Sequence, residues 1–327
     1  MPDLVDRVDE LQRRRRAISV PLAVVYKFFD DQGNYLAAIL TYYAFIAIFP
    51  LLLIASSVLG FLLRDNEMVR NAVLDSALSQ FPIVGSQLGR AEGLQGSTSA
   101  VVIGSLTALY GIVGLGQAAQ NAVNTTWAVP RNSRLNPVMS RVRSLALMVL
   151  AGTSVMLLAV LSSVASNVDV FGSEADAFLN LMLCIATVVI TAAVLSAMLG
   201  LATRRRHRFS IVLPGGLTIA VGWHLLQTLG GVYVDRVVNR VSEMSGVFAL
   251  VLGLIAMIYV AAMIAVLGME VNVVLHRRLY PRALLAPFTD TVQLTEADRR
   301  VYTDYARAQR HKGFEKVHVT FDRGDDG

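Results

Sequence analysis

Residues 245–275 read SGVFALVLGLIAMIYVAAMIAVLGMEVNVVL, thirty-one positions with one charged residue, Glu270. About 20 apolar residues suffice to cross the hydrocarbon core of a bilayer as a helix. Backbone N–H and C=O groups find no partner in hydrocarbon, so such a run is predicted to be helical. Five more stretches share this character: Leu36–Leu63, Thr98–Trp127, Ser144–Val168, Ala177–Thr203 and Phe209–Val234. Across all six, His224 and Glu270 are the only Asp, Glu, Lys, Arg or His residues. A membrane barrel needs short alternating segments, which do not appear. The predicted fold class is therefore all-α: a polytopic membrane protein, a bundle of six transmembrane helices with interfacial amphipathic helices.

Composition agrees. Of 327 residues, 54% are hydrophobic and 16% charged, against about 25% charged in an average soluble domain. The single cysteine, Cys184, lies in an apolar run and reads as a small buried hydrophobe. It forms no internal disulfide and no Cys-based metal cluster. The N-terminal MPDLVDRVDELQRRRR mixes acids with bases, and the first long apolar run starts only near Leu36, so no cleavable signal peptide is expected.

The loops orient the bundle. Ala128–Arg143 carries Arg131, Arg134, Arg141 and Arg143 with no acid, and Arg204–Arg208 carries four arginines with none. The N-terminal segment has Arg13–Arg16 and Lys27, and Arg277, Arg278 and Arg282 follow the last span. The alternate loops hold five arginines against nine acids. By the positive-inside rule both termini are expected in the cytoplasm, in the inner (plasma) membrane. The net charge of +5 thus sits at helix ends. Membrane lipids are the expected partners, with a second copy of the chain or a cytoplasmic or envelope protein left open, and no nucleic acid.

Three parts follow. Residues 1–35 form a cytoplasmic N-terminal segment, in which ISVPLAVVYKFFDDQGNY (18–35) reads either as a helix in the membrane interface or as one packed on the bundle end. Residues 36–276 form the transmembrane domain. Residues 277–327 form a cytoplasmic tail, partly disordered at DRGDDG, with Thr295-Glu296-Ala297-Asp298 starting a short helix to about Gln309. The loop 64–97 repeats apolar residues at helical spacing up to Pro82 and reads as one or two short amphipathic helices.

Polar residues inside spans are candidates for function, since each needs a partner or water. The first span offers Tyr42, Tyr43 and Pro50, the last a source of local loosening. The second carries Gln117, Asn121 and Asn124 at i, i+4, i+7, either cavity lining or glue between helices. The fifth begins Pro214-Gly215-Gly216 and places Trp223, His224 and Gln227 together. The sixth holds Glu270 and Asn272. Glu270 reads either as an anchor reaching Arg277 or as a proton site. Arg204, Arg205 and Arg206 are candidates for anionic head groups, worth about 1 kcal/mol per charge near the surface. No HExxH, GxSxG, P-loop or acidic ligand cluster is present. No metal, cofactor or enzymatic activity is expected.

Three blocks carry a family resemblance: LTYYAFIAIFPLLLIASSVLG (40–60), GIVGLGQAAQNAVNTTWAV (111–129), and LPGGLTIAVGWHLL (213–226) with GVFALVLGLIAMIYVAAMIAVLGMEVN (246–272). Together they resemble the BrkB/YihY family of inner-membrane proteins, including its YhjD branch. The most specific parts are the Tyr-Tyr and Phe-Pro run and the Gly268-x-Glu270-x-Asn272 ending. The resemblance implies six spans and links to envelope integrity and resistance to host defences. In YhjD-like members it implies movement of lipid A precursors or other lipids. An older ribonuclease label for such proteins finds no support here, because no metal-ligand cluster exists to activate water. The resulting expectation is a transporter or flippase of lipids or other amphiphiles, with a non-transporting envelope-assembly scaffold as the alternative.

Overall fold

The computed structural model describes residues 9–62 (position 11 apart), 98–166, 173–203, 207–236, 243–286, 289 and 292–321. Six helices of 28 to 35 residues dominate: α2 (Gly33–Leu62), α3 (Thr98–Thr126), α4 (Pro137–Ser166), α5 (Ser173–Ala202), α6 (Phe209–Arg236) and α7 (Glu243–Arg277). Two shorter helices flank them, α1 (Arg16–Asp30) and α8 (Glu296–Ala308). No strand occurs among the described residues. At 1.5 Å per residue the long helices reach about 42 Å or more. Four contain an apolar stretch long enough to cross a membrane among the described residues: Pro137–Val155, Cys184–Ala202, Phe209–Gly230 and Val251–Arg277. These helices hide few of their own side chains. Leu217, Val221, Leu225 and Leu229 all lie outward on α6, as suits a solvent of lipid tails.

Each long helix packs on the next, and α7 closes back on α2, so the six form a ring in chain order. The helix α3 also touches α5 and α7 across it. Small residues set the closeness of several crossings. A side chain at Gly111 would meet the backbone of Ala47 on α2, and one at Gly116 would meet Ser144 on α4.

The ends of α3 and α7 stop alike. Ala128 and Arg278 take left-handed φ values of 47° and 53°. Val129 N–H then donates to Asn124 C=O at 2.8 Å, and Leu279 N–H to Val274 C=O at 3.0 Å. Such closures satisfy terminal carbonyls, usually with glycine in the left-handed position. They bring Trp127 and Arg277 together: Arg277 Nη2 donates to Trp127 C=O at 2.6 Å, and Trp127 stacks on His207.

Much of the stretch 18–35 lies in helix α1, which packs on the bundle. Helix α1 lies against α7 and α2 and buries Ala23, Val24, Lys27 and Phe28. Tyr26 donates its hydroxyl to Leu284 C=O at 2.6 Å. The chain turns into α2 at Gln32, φ 54°, and Phe28 lies against Gly33, where a Cβ has no room. Helix α8 starts where expected, with Thr295 as N-cap of a capping box closed by Asp298. The expected helices of the loop 64–97 and the expected disorder of DRGDDG lie outside the described residues. Helices α1 and α8, with residues 279–286 beside them, thus cap one end of the ring.

Candidate functional site

The Pro214-Gly215-Gly216 and Gly268-x-Glu270-x-Asn272 segments meet at the α6–α7 crossing. A Cβ on Gly215 would strike the carbonyl of Gly268, and one on Gly216 would strike Ser196 and Ala192 C=O on α5. Pro214 sits inside α6, whose first residue is Phe209, rather than in the first turn that the sequence suggests. Next to it, Gly215 N–H donates to Asn272 Oδ1 at 2.7 Å in a buried contact. Hydrogen bonds between membrane helices average about 0.6 kcal/mol. Asn272 is therefore a joint between helices, and its packing places Glu270 on the face of α7 that meets α1.

There Glu270 finds Lys27, not Arg277. Lys27 Nζ lies 2.5 Å from Asp31 and 3.6 Å from Glu270 Oε2. The three side chains are 3%, 1% and 0% exposed, in the order Lys27, Asp31, Glu270. Tyr305 of α8 covers them, its hydroxyl 3.5 Å from Lys27 Nζ. Burial, then the fields of Asp31, Asp30 and Glu270, drives the Tyr305 phenol far above its usual value, so it stays neutral. Neither Glu270 oxygen accepts a hydrogen bond. Arg277, the partner expected from sequence, instead pairs with Asp304 at 2.6 Å. The expectation fails because α1, too short to span, folds back and delivers a closer cation.

A second charged group lies beside the first. Arg282, fully buried, pairs through Nε with Asp298 and through Nη2 with Asp30 at 3.0 Å. Its guanidinium lies 6.0 Å from the ring of Tyr26 and 5.8 Å from that of Tyr302. Asp298 also accepts from Ala283 N–H and Thr295 N–H, both at 3.0 Å. Burial holds the Asp30 carboxyl above its ordinary range despite Arg282. Burial pulls the Arg282 guanidinium down, but its bonds to Asp298 and Asp30 outweigh this and hold it above its usual value.

Between these groups and the α3–α4 connection lies a cleft of about 500 Å³, within the ordinary size range of ligand pockets. One wall is Asp30, Asp31, Gln32 and Tyr305, and the other is Asn121, Thr125, Arg131 and Arg134. Arg134 Nη1 donates to Asn121 Oδ1 at 2.9 Å and its Nε to Val129 C=O at 3.3 Å. Burial, then the positive field of Arg131, holds Arg134 below its usual value.

The sequence candidates separate as follows. Asn121 lines the cleft. Asn124 is buried beneath it, its Oδ1 without a hydrogen bond. Gln117 is half-buried. A joint between α3 and α4 is made by Gln120, which donates to Ser140 C=O and Ser144 Oγ, both at 2.9 Å. Tyr43 packs on Gly114, while Tyr42 is exposed. Helix α2 is continuous through Pro50, whose side chain lies outside the described residues, as do Arg204, Arg205 and Arg206. His224 is exposed, with Nε2 3.5 Å from Cys184 Sγ. Trp223 and Gln227 are half-buried on α6, a separate element from the cleft. Sequence reading missed Lys27, Asp31, Asp30, Arg282, Asp298 and Tyr305 as members of a site. The signal was Lys27 and Asp31 at i, i+4, a spacing that pairs opposite charges on a helix, following the apolar run PLAVVY (21–26).

Apolar helices closed into a ring, with buried charge at one capped end, define an α-helical membrane protein. The family model of virulence factor BrkB matches residues 24–290, and the chain belongs to that family. No curated protein and no solved structure matches it.

Proposed function

We propose that this BrkB-family protein moves lipids or other amphiphiles across the inner membrane, as a non-enzymatic, six-span transporter with both termini in the cytoplasm and no ATPase of its own. The observation carrying this reading is the polar cleft of about 500 Å³ at the capped end of an otherwise apolar bundle. A head group in the cleft keeps its polar contacts, while its acyl chains stay in lipid along the outward leucines of the helices. The basic α3–α4 connection that forms one wall is a cytoplasmic segment by the positive-inside rule, so the cleft receives its ligand from the inner leaflet. A contribution to envelope integrity follows from such movement.

The scaffold alternative needs a segment after Arg277 with polar groups available to a partner. Here Asp298, Tyr305 and Asp304 are engaged with Arg282, Lys27 and Arg277, so a partner would meet the exposed Arg299, Arg300, His311, Lys312 and Lys316 instead. The test is full-length protein in liposomes with lipids labelled at the head group. Translocation of at least one phospholipid or glycolipid class is expected. If none moves above protein-free vesicles, the transport reading is wrong.

A further inference from the structure

The two walls of the cleft differ in charge. On one, Arg131 and Arg134 face the cavity. Among the described residues no carboxylate pairs with either, and the Arg131 side chain makes no hydrogen bond. On the other, Asp30 and Asp31 each belong to a buried group of one cation and two carboxylates. Lys27 stands against Asp31 and Glu270, and Arg282 against Asp30 and Asp298. The Arg282 group therefore carries one negative charge more than its cation balances, whereas Lys27 balances Asp31, and Glu270, fully buried with neither oxygen hydrogen-bonded, adds no charge. Two positive charges without an ion-pair partner thus share a cavity of ligand size with one unbalanced acidic group, whose Asp30 keeps 18% of its side chain exposed.

A purely anionic ligand would suit the arginine wall and be repelled by the aspartate wall. A cation would meet the reverse. A ligand with both charges, a few bonds apart, suits both. Guanidinium groups match phosphate oxygens, donating two bonds in parallel. A primary ammonium offers three donors for carboxylate oxygens, whereas a quaternary ammonium offers none. Thr125 and Gln309 add uncharged hydrogen-bonding groups to the lining. The lip at Asp30–Gln32 is flanked by Phe29 and Tyr35, 66% and 64% exposed. Aromatic side chains of this kind favour the boundary between head groups and acyl chains, which favours a lipid over a soluble ester.

We propose that the cleft binds the phosphoethanolamine-type head group of a phospholipid, its phosphate against Arg131 and Arg134 and its primary ammonium against the exposed edge of Asp30. This assignment rests on the transport reading above and names its substrate class.

The experiment compares full-length protein in nanodiscs containing phosphatidylethanolamine, phosphatidylglycerol or phosphatidylcholine, with soluble phosphoethanolamine as competitor. A preference of about tenfold for phosphatidylethanolamine over each other lipid is expected, the size of one charge-assisted contact. Arg131→Gln, at an exposed position, is expected to weaken binding about tenfold at unchanged Tm. Gln32→Lys, also exposed, places a cation on the opposite wall and is expected to abolish the preference over phosphatidylglycerol. The two variants keep the test meaningful where Asp30→Asn or Arg134→Gln disturbs the fold. Equal binding of phosphatidylglycerol by the wild type overturns the ammonium assignment. Soluble phosphoethanolamine binding as tightly as the lipid overturns the lipid assignment. In liposomes, flux that ignores these head groups sinks this inference and leaves transport standing, whereas absence of all flux sinks the transport reading itself.

Discussion

The Arg282 group and the Lys27 group have the same make-up, one cation between two carboxylates, and opposite hydrogen bonding. Asp298 accepts from Arg282, Ala283 and Thr295, and Asp30 keeps an edge towards the cleft, with 18% of its side chain exposed. Glu270, by contrast, is fully buried and accepts no hydrogen bond at all. Buried charges persist at low cost only when paired and fully hydrogen-bonded. The Arg282 group comes close to that condition, with Arg282 Nη1 left without a partner, and joins α1 to the segment leading into α8. The Lys27 group falls further short, since neither oxygen of its Glu270 has a hydrogen-bond partner. The same make-up thus yields two unlike groups, and hydrogen bonding separates them.

The largest effect is expected at Lys27. Lys27→Met leaves Asp31 and Glu270 buried together without a cation, and removing one partner of a buried pair costs about 3–5 kcal/mol. Thermal unfolding in detergent should show it, with Glu270→Gln in the same chain restoring part of the loss. A Lys27→Met protein as stable as wild type would mean that the buried group is not ionised as drawn. Next in size comes Asp298→Ala, which strips the clamp of its best-satisfied member and removes half of the α8 capping box. A loss of about 2–4 kcal/mol is expected. Limited proteolysis should then cut near residues 283–295 before the ring unfolds. Simultaneous loss of ring and clamp would erase the distinction between them.

Glu270→Gln should be the mildest of these three. It replaces a carboxyl without hydrogen bonds while Lys27 and Asp31 remain a neutral pair, so stability is expected within about 1 kcal/mol of wild type. A carboxylate anchored on Arg277, as the sequence suggests, would instead lose stability on this change. A drop as large as that of Lys27→Met would show that Glu270 is satisfied after all, and the comparison would fail.

Much of the fold was legible in the sequence, because lipid imposes one strong rule on long apolar runs. The stretches read as 98–127, 177–203 and 209–234 correspond to helices Thr98–Thr126, Ser173–Ala202 and Phe209–Arg236. The capping box at Thr295 was legible for the same reason, being local chemistry at fixed spacing. The site was not. Lys27 and Glu270 are 243 positions apart, and nothing local tells that a short amphipathic segment folds under the bundle rather than along the membrane. Gln120 was passed over for Gln117, Asn121 and Asn124, since helical spacing says which residues share a face but not which neighbour that face meets. Asn121 was found by that spacing, and Arg131 and Arg134 were counted only as topology signals.

The smallest expected effect is one of sign, in two carboxylates beyond the spans. Asp30 has a raised value, from burial. Its folded state holds the proton more tightly than the unfolded chain does, so its contribution is fully present below the ordinary Asp value of about 3.9 and is lost as pH rises through the raised one. Glu315 is shifted down, because its carboxylate accepts from His311 N–H at 2.7 Å and Lys312 N–H at 3.2 Å. Its contribution is present above the ordinary Glu value of about 4.3 and is lost as pH falls through the depressed one. Hydrogen exchange across this range, corrected for the intrinsic pH dependence, should therefore show the 311–312 amides losing protection on acidification. The contribution that Asp30 makes to the contact between α1 and Arg282 should move the other way, and Asp30→Asn should flatten that response while leaving the 311–312 response intact. Glu315→Gln should do the converse. If both regions instead respond together, the titrations are not local, and the segment after Arg282 behaves as one unit with the clamp rather than as an exposed turn beyond it.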